Sequence, residues 1–221
     1  MKVAVINFPG TNCERDTKYA FERLGCDVEV IWHKDTTLNA DLVVLPGGFS
    51  HGDYLRTAAI AKFSPIMEAV RAHAKKGGYL LGICNGFQML LELKLLEGAM
   101  NRNINLSFIS KYHYLKVISN DNKFLACCKN GELLNIPIAH GEGNYYVDSE
   151  NLKKMYDNDQ ILLKYCDENG NDLNPNGSVD SIAGICDKSK KIFGLMPHPE
   201  RAIEEILGGT DGEKMLKGLV C

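Results

Sequence analysis

The run Tyr79-Leu80-Leu81-Gly82-Ile83-Cys84-Asn85-Gly86-Phe87-Gln88 is an apolar strand that stops at a Gly-X-Cys-X-Gly turn and continues as an apolar helix. A chain can fold back so abruptly only where Cβ atoms are missing, and Gly82 and Gly86 stand two places either side of Cys84. The central residue is then forced into a strained turn at the top of a sheet. It also sits at a helix N-terminus, where unpaired backbone N–H groups and the macrodipole favour a thiolate over a thiol. The segment reads as a nucleophile elbow carrying a cysteine; the plainer alternative is a small buried cysteine beside a tight turn.

Short apolar runs at Val3–Ile6, Val28–Trp32, Leu42–Leu45 and Tyr79–Ile83 each end in a turn signal. Segments of helical period lie between several of them, at Cys13–Leu24, Pro65–Lys76 and Asn85–Leu93, the first two stopped by Gly25 and Gly77-Gly78. Continuous rather than alternating apolar strands imply a parallel sheet covered on both faces. From about Leu106 the pattern changes to strands with short turns: Tyr114–Ser119, Phe124–Ala126, Leu133–His140, Ile161–Tyr165, Ile182–Cys186 and Lys191–Met196. A short helix, Lys214–Val220, closes the chain. The expectation is an α/β fold with a mostly parallel central sheet, helices on both faces and an antiparallel extension in the second half. With no linker and no internal repeat, residues 1–221 read as a single domain.

The 221 residues are 45% hydrophobic, enough for a sizeable core, and the net charge of −3 is spread along the chain. No segment concentrates Lys and Arg as a nucleic-acid or membrane surface requires. Met1–Asn7 breaks at Phe8-Pro9-Gly10, too soon for a signal peptide, and no apolar stretch of about 18 residues follows, so the expectation is a cytoplasmic soluble protein. The eight cysteines, at 13, 26, 84, 127, 128, 166, 186 and 221, include no C-x-x-C pair and no histidine at finger spacing. No metal site is expected, and the thiols are expected to be reduced.

A thiolate nucleophile needs a base, and of the six histidines His198 stands out. It lies in Leu195-Met196-Pro197-His198-Pro199-Glu200-Arg201, where the prolines hold the backbone extended, so that residues i and i+2 share a face. Glu200 can then orient one imidazole nitrogen while the other faces Cys84, a triad. Acyl chemistry also needs oxyanion donors. The Asn85 N–H is one; Pro46-Gly47-Gly48-Phe49 at another strand end offers a second, though such a run alone is commonly just a turn. Gln88, one helical turn after the cysteine, can face a polar substrate or simply the surface. His140-Gly141-Glu142-Gly143 offers polar side chains and amides, or a charged tight turn.

These residues resemble the triad-type, class I glutamine amidotransferases, in which the Pro-Gly-Gly loop, the Gly-Ile-Cys-Asn-Gly-Phe-Gln elbow and the His-Pro-Glu segment occur in this order. The longer loops, Pro46–Ser50 with Gly52-Asp53-Tyr54-Leu55-Arg56, and His140–Gly143, look like those of the glutaminase subunits that serve purine biosynthesis. The resemblance covers nearly the whole chain and implies a flavodoxin-like sheet. It implies hydrolysis of glutamine to glutamate and ammonia, with Cys84 as nucleophile, His198 as acid and base and Glu200 as its holder. Asn85 and the Gly48-Phe49 region would take the oxyanion, and Gly47, Gln88, His140 and Gly141 would line the glutamine site. It further implies no cofactor in this chain. Ammonia would pass to a separate large synthase subunit, which carries ATP and Mg²⁺ and converts formylglycinamide ribonucleotide to its amidine, aided by a small third subunit. His51 and Ala58 stand where this family usually has Tyr and Gly, and Lys111 where Arg is common; the expectation is that these touch partner contacts rather than chemistry.

Other readings share parts of this pattern. Amidotransferases feeding anthranilate, guanylate or carbamoyl phosphate synthesis keep the triad but not the Gly-Asp-Tyr-Leu-Arg and His-Gly-Glu-Gly loops. Protease- and chaperone-like proteins with a cysteine elbow carry histidine directly after the cysteine, where this chain has Asn85. A non-catalytic binding module would be expected to lack the thiol or the base.

Overall fold

The computed structural model describes residues 1–220; Cys221 lies outside the described residues. The first half alternates as β1 (Lys2–Asn7), α1 (Glu14–Arg23), β2 (Asp27–Trp32), β3 (Leu42–Leu45), α2 (Ile66–Lys75), β4 (Tyr79–Ile83) and α3 (Asn85–Glu92). The second half continues as β5 (Ala99–Asn101), β6 (Ile109–Val117), β7 (Leu133–His140), β8 (Asn144–Tyr146), α4 (Ser149–Asp157), β9 (Ile161–Cys166), β10 (Ile182–Cys186), β11 (Ile192–Leu195) and α5 (Asp211–Val220). Nine strands form one sheet in the order β2-β1-β3-β4-β11-β10-β9-β6-β7, and β5 pairs with β8 in a small separate ribbon.

Pairing is parallel from β2 to β11 and antiparallel from β11 outward to β7. The side chains explain the change. β3 and β11 are buried at every residue because helices cover both faces, whereas β6 and β7 alternate between buried and partly exposed positions, as one-sided strands do. β11, late in sequence, is thereby carried back to the centre, beside β4. The ends of those two strands deliver the elbow and the His198 segment to the same edge of the sheet. One hydrophobic cluster runs through both halves.

Several elements differ from the sequence expectation, among them the short ribbon strands β5 and β8. Phe124–Ala126 is a turn, not a strand: Asn122 accepts the Leu125 N–H at 2.9 Å, and Phe124 and Leu125 are buried as plugs, the Phe124 ring against Phe193. Burial made the run apolar without any strand partner. Helix α4 was not expected. Its signal is Asp148, whose side chain accepts the Asn151 N–H and caps the first turn. Helix α5 also starts earlier than expected, at Asp211.

Candidate active site

Cys84 joins β4 to α3 with φ 50° and ψ −105°, a left-handed conformation that costs about 1–3 kcal/mol for a residue with a Cβ and persists only where the surroundings enforce it. The flanking glycines do the enforcing. A Cβ on Gly82 would lie 2.7 Å from the Gly86 backbone, the expected collision of strand with returning helix. On Gly86 it would lie 1.8 Å from the Leu45 carbonyl of the neighbouring strand, so this glycine also lets α3 sit down on β3. Cys84 is nearly buried, with Sγ 3.7 Å from the Ala139 carbonyl at the end of β7.

His198 follows β11. Its N–H donates to the Pro137 carbonyl at 2.8 Å, and its Nδ1–H donates to Glu200 Oε1 at 2.7 Å. The two side chains meet through a one-turn 3-10 helix, Pro199–Arg201, rather than along extended backbone as the prolines suggested. Both are at most 2% exposed. Burial works against a charged imidazole, yet the Glu200 carboxylate, and after it Cys84, hold the His198 pKa well above its ordinary value. His198 Nε2 has no hydrogen-bond partner among the described residues, and the ring shares a cavity of about 250 Å³ with Cys84. Gly47 makes room for it: a Cβ there would lie 2.7 Å from His198 Cε1.

A second thiol reaches this ring. Cys13, just ahead of α1, has Sγ 4.0 Å from His198 Nδ1 and accepts from Arg201 Nη2 at 3.0 Å, while Arg201 Nε donates to Asp16 at 3.0 Å. Burial pushes the Cys13 thiol up, and its hydrogen bond to His198 offsets that in part. Donor atoms of Cys13, His198 and Glu200 lie within 4.8 Å of one another. The Arg201 guanidinium takes the sulfur's free side, so the cluster is built as a hydrogen-bond set rather than around a cation. Nothing in the spacing of Asn12-Cys13-Glu14 predicts this contact.

The oxyanion donors are distributed differently from expectation. Asn85 opens α3, so its N–H has no helical partner. In the other loop the Phe49 N–H is spent on the Gly10 carbonyl at 2.9 Å, because Thr11 and Gly48 form an antiparallel bridge. That leaves the Gly48 N–H, while Phe49 serves as a wall whose ring lies 6.3 Å from that of Phe108.

Beside Cys84 opens a cavity of about 160 Å³ lined by Gly48, Phe49, Asp53, Thr57, Cys84, Gln88, Phe108 and the Ala139–Glu142 segment. Gln88 lines it while already tied on both sides: Oε1 accepts from Asn85 Nδ2 at 2.8 Å and Nε2 donates to the Glu142 carbonyl at 2.7 Å. Asn85 Oδ1 in turn accepts the Ser50 N–H. His140 lies over Gly143, where a Cβ would come within 2.4 Å of its ring, and burial, then the charge of His198, lowers its pKa to about 4. It therefore lines the site as a neutral imidazole. Its holder, missed in the sequence, is Asn103: fully buried, it donates to the His140 carbonyl at 2.9 Å and accepts the Gly143 N–H at 3.0 Å. A roomier cavity, about 370 Å³, borders Glu200 together with Tyr19, Tyr112 and Leu207. It contains no thiol, so the reacting centre belongs to the smaller cavities.

Of the departures from the resembling family, Ala58 is buried at φ 62°, and the His51 ring packs between those of Phe8 and His33. Ala58 is thus a packing position rather than a contact surface; Lys111 alone of the three is exposed.

Comparison with known proteins gives the family. Residues 1–212 match the CobB/CobQ-like glutamine amidotransferase domain family, which sets the class. Phosphoribosylformylglycinamidine synthase subunit PurQ of Sulfurimonas denitrificans is 60% identical over 222 residues, covering 100% of this chain and 99% of its own. PurQ of Campylobacter jejuni is 64% identical over 220 residues, covering 100% and 96%. Among solved structures, a chain of PurLQS from Thermotoga maritima superposes with a TM-score of 0.90 at 39% identity, covering 99% of this chain and 97% of its own. The chain belongs to the glutamine amidotransferases, and within them to the PurQ family of phosphoribosylformylglycinamidine synthase subunits.

Proposed function

We propose that this chain is the glutaminase subunit of phosphoribosylformylglycinamidine synthase, working through a thioester on Cys84. The observation that carries the reading is the strained Cys84 sharing one cavity with His198, whose Nδ1 is held by Glu200 at 2.7 Å. The Cys84 thiolate attacks the side-chain amide carbon of glutamine, and the resulting oxyanion is taken by the Asn85 and Gly48 N–H groups. As the C–N bond breaks, the His198 imidazolium gives its proton to the leaving nitrogen, and ammonia departs. His198, now neutral, takes a proton from water. The hydroxide adds to the thioester, the C–S bond breaks, and glutamate leaves with the thiolate restored. Glu200 keeps the ring oriented and supports its charged form.

The product has to reach an acceptor. Ammonia passes to a large ATP-dependent synthase subunit that makes formylglycinamidine ribonucleotide in purine biosynthesis, with a small third subunit in the complex. The support for this is the 60–64% identity to PurQ chains and the full-length likeness to a chain of PurLQS. This chain itself carries no cofactor in the proposed reaction, ATP and Mg²⁺ belonging to the synthase subunit. Its partners are glutamine and those subunits, not nucleic acid or membrane, and its place is the cytoplasm; among the described residues no helix is long and apolar enough to cross a membrane. Ammonia release from glutamine, followed in the assembled complex, tests the proposal. Cys84→Ala and His198→Asn should each lower it by at least about 100-fold; undiminished release in either variant would refute the mechanism.

A further inference from the structure

The Gly52-Asp53-Tyr54-Leu55-Arg56 loop takes no part in the mechanism above, yet it turns one carboxylate into the substrate cavity. Asp53 lines the cavity of about 160 Å³ that holds Cys84, Gln88 and Glu142. Its placement is enforced: His51, Gly52 and Asp53 have φ of 54°, 66° and 53° in succession, a run of left-handed backbone that costs free energy at each non-glycine residue. The Asp53 carboxylate forms no ion pair or hydrogen bond with any described side chain or backbone group, and its Oδ1 is fully buried. Glu142, by contrast, is anchored: Thr57 Oγ1 donates to it at 2.8 Å and Arg102 Nε lies 3.7 Å away. The cavity therefore has a nucleophile in its wall and two carboxylates on the same lining, one satisfied and one without a donor.

We propose that Asp53, with Glu142 beside it, recognises the α-ammonium group of glutamine and so selects an amino acid amide over amides without that charge. This rests on the glutaminase reading. Glutamine carries one cation, separated by a short chain from the amide that must meet Cys84, and that cation pairs with the Asp53 carboxylate where it lines the cavity. Burial, and then the nearby charge of Glu142, raise the Asp53 pKa to about 6; an ammonium between the two carboxylates favours the ionised form again.

The test is Asp53→Asn in the assembled complex. Asn keeps the shape and tolerates left-handed backbone, so the loop is retained while the charge is removed. The KM for glutamine should rise on the order of 30-fold or more, with kcat within about threefold of the parent, as expected when one member of a buried charge pair is lost. Glutaramate shares the amide and carboxylate of glutamine but has no amino group. Its Ki as a competitive inhibitor should be unchanged, as should the rate of Cys84 alkylation by iodoacetamide. An unchanged KM for glutamine overturns the inference, and so does a parallel loss of glutaramate binding or of alkylation, which would mark Asp53 as a scaffold residue. Absence of glutamine hydrolysis in the parent complex would instead overturn the glutaminase reading and this inference with it.

Discussion

Glu200→Gln removes one charge and changes almost nothing else in volume. Glu200 and His198 are both buried and their contact is 2.7 Å; stripping the partner from a buried charge costs roughly 3–5 kcal/mol if the charge stays. His198 has an escape, since it can shed its proton, and that caps the loss. Because burial is outweighed by Glu200 and Cys84, the folded-state pKa of His198 lies above its unfolded value. The proton on His198 therefore stabilises the fold fully below about pH 6.5, and the contribution fades as pH rises through the raised folded value. The variant should be less stable by about 3 kcal/mol near pH 6, with the gap narrowing in alkali. Its kcat should fall by about 10²–10⁴, since the acid that protonates ammonia is no longer charged at neutral pH, and the alkaline limb of its pH profile should move to lower pH. Urea denaturation at pH 6 and at pH 9.5, with a pH profile of kcat, measures both. Equal destabilisation at the two pH values, or an unmoved alkaline limb, would refute the assignment of Glu200 as the source of the raised His198 pKa.

Gly86→Ala should unfold the elbow or prevent folding, because the added Cβ would sit 1.8 Å from the Leu45 carbonyl; circular dichroism and melting of the purified variant would show it, and a native melting curve would contradict the packing described. Gly47→Ala should fold normally but lose about 100-fold in kcat, since its Cβ pushes on His198 Cε1 at 2.7 Å and small displacements of a reacting group are costly. Loss of fold instead of kcat would place Gly47 in the scaffold. Leu55 is 79% exposed at φ 72°, a conformation Asn tolerates better. Leu55→Asn should raise the stability of the free subunit by about 0.5–1 kcal/mol in urea denaturation. An unchanged or lowered midpoint would contradict the strain assigned to this residue.

What could be read from the residues alone was mainly what local sterics dictate. The elbow was legible because its glycines act within four residues of Cys84, and the parallel strands because burial on both faces leaves continuous apolar runs. His198 and Glu200 were legible as neighbours, although the backbone joining them is a 3-10 turn. Contacts made across the sequence were not. Cys13 meets His198 across 185 residues, Asn103 pins the His140–Gly143 turn through its amide, and the Phe49 N–H is claimed by Gly10 only because residues 11 and 48 bridge. A polar residue in a loop carries no period, so neither Asn103 nor the inward turn of Asp53 leaves a mark in the pattern. Phe124 and Leu125 erred in the other direction: their burial mimics a strand, but Asn122 closes a turn around them.

The central claim, that Cys84 is a nucleophile which recognises glutamine, is tested most directly by intact mass after exposure to 6-diazo-5-oxonorleucine, comparing the chain with its Cys84→Ala variant, each in the synthase complex. The account predicts one adduct on this chain, suppressed by excess glutamine and absent from the variant, although six other cysteines are free among the described residues. No adduct, or one that persists without Cys84, would contradict it.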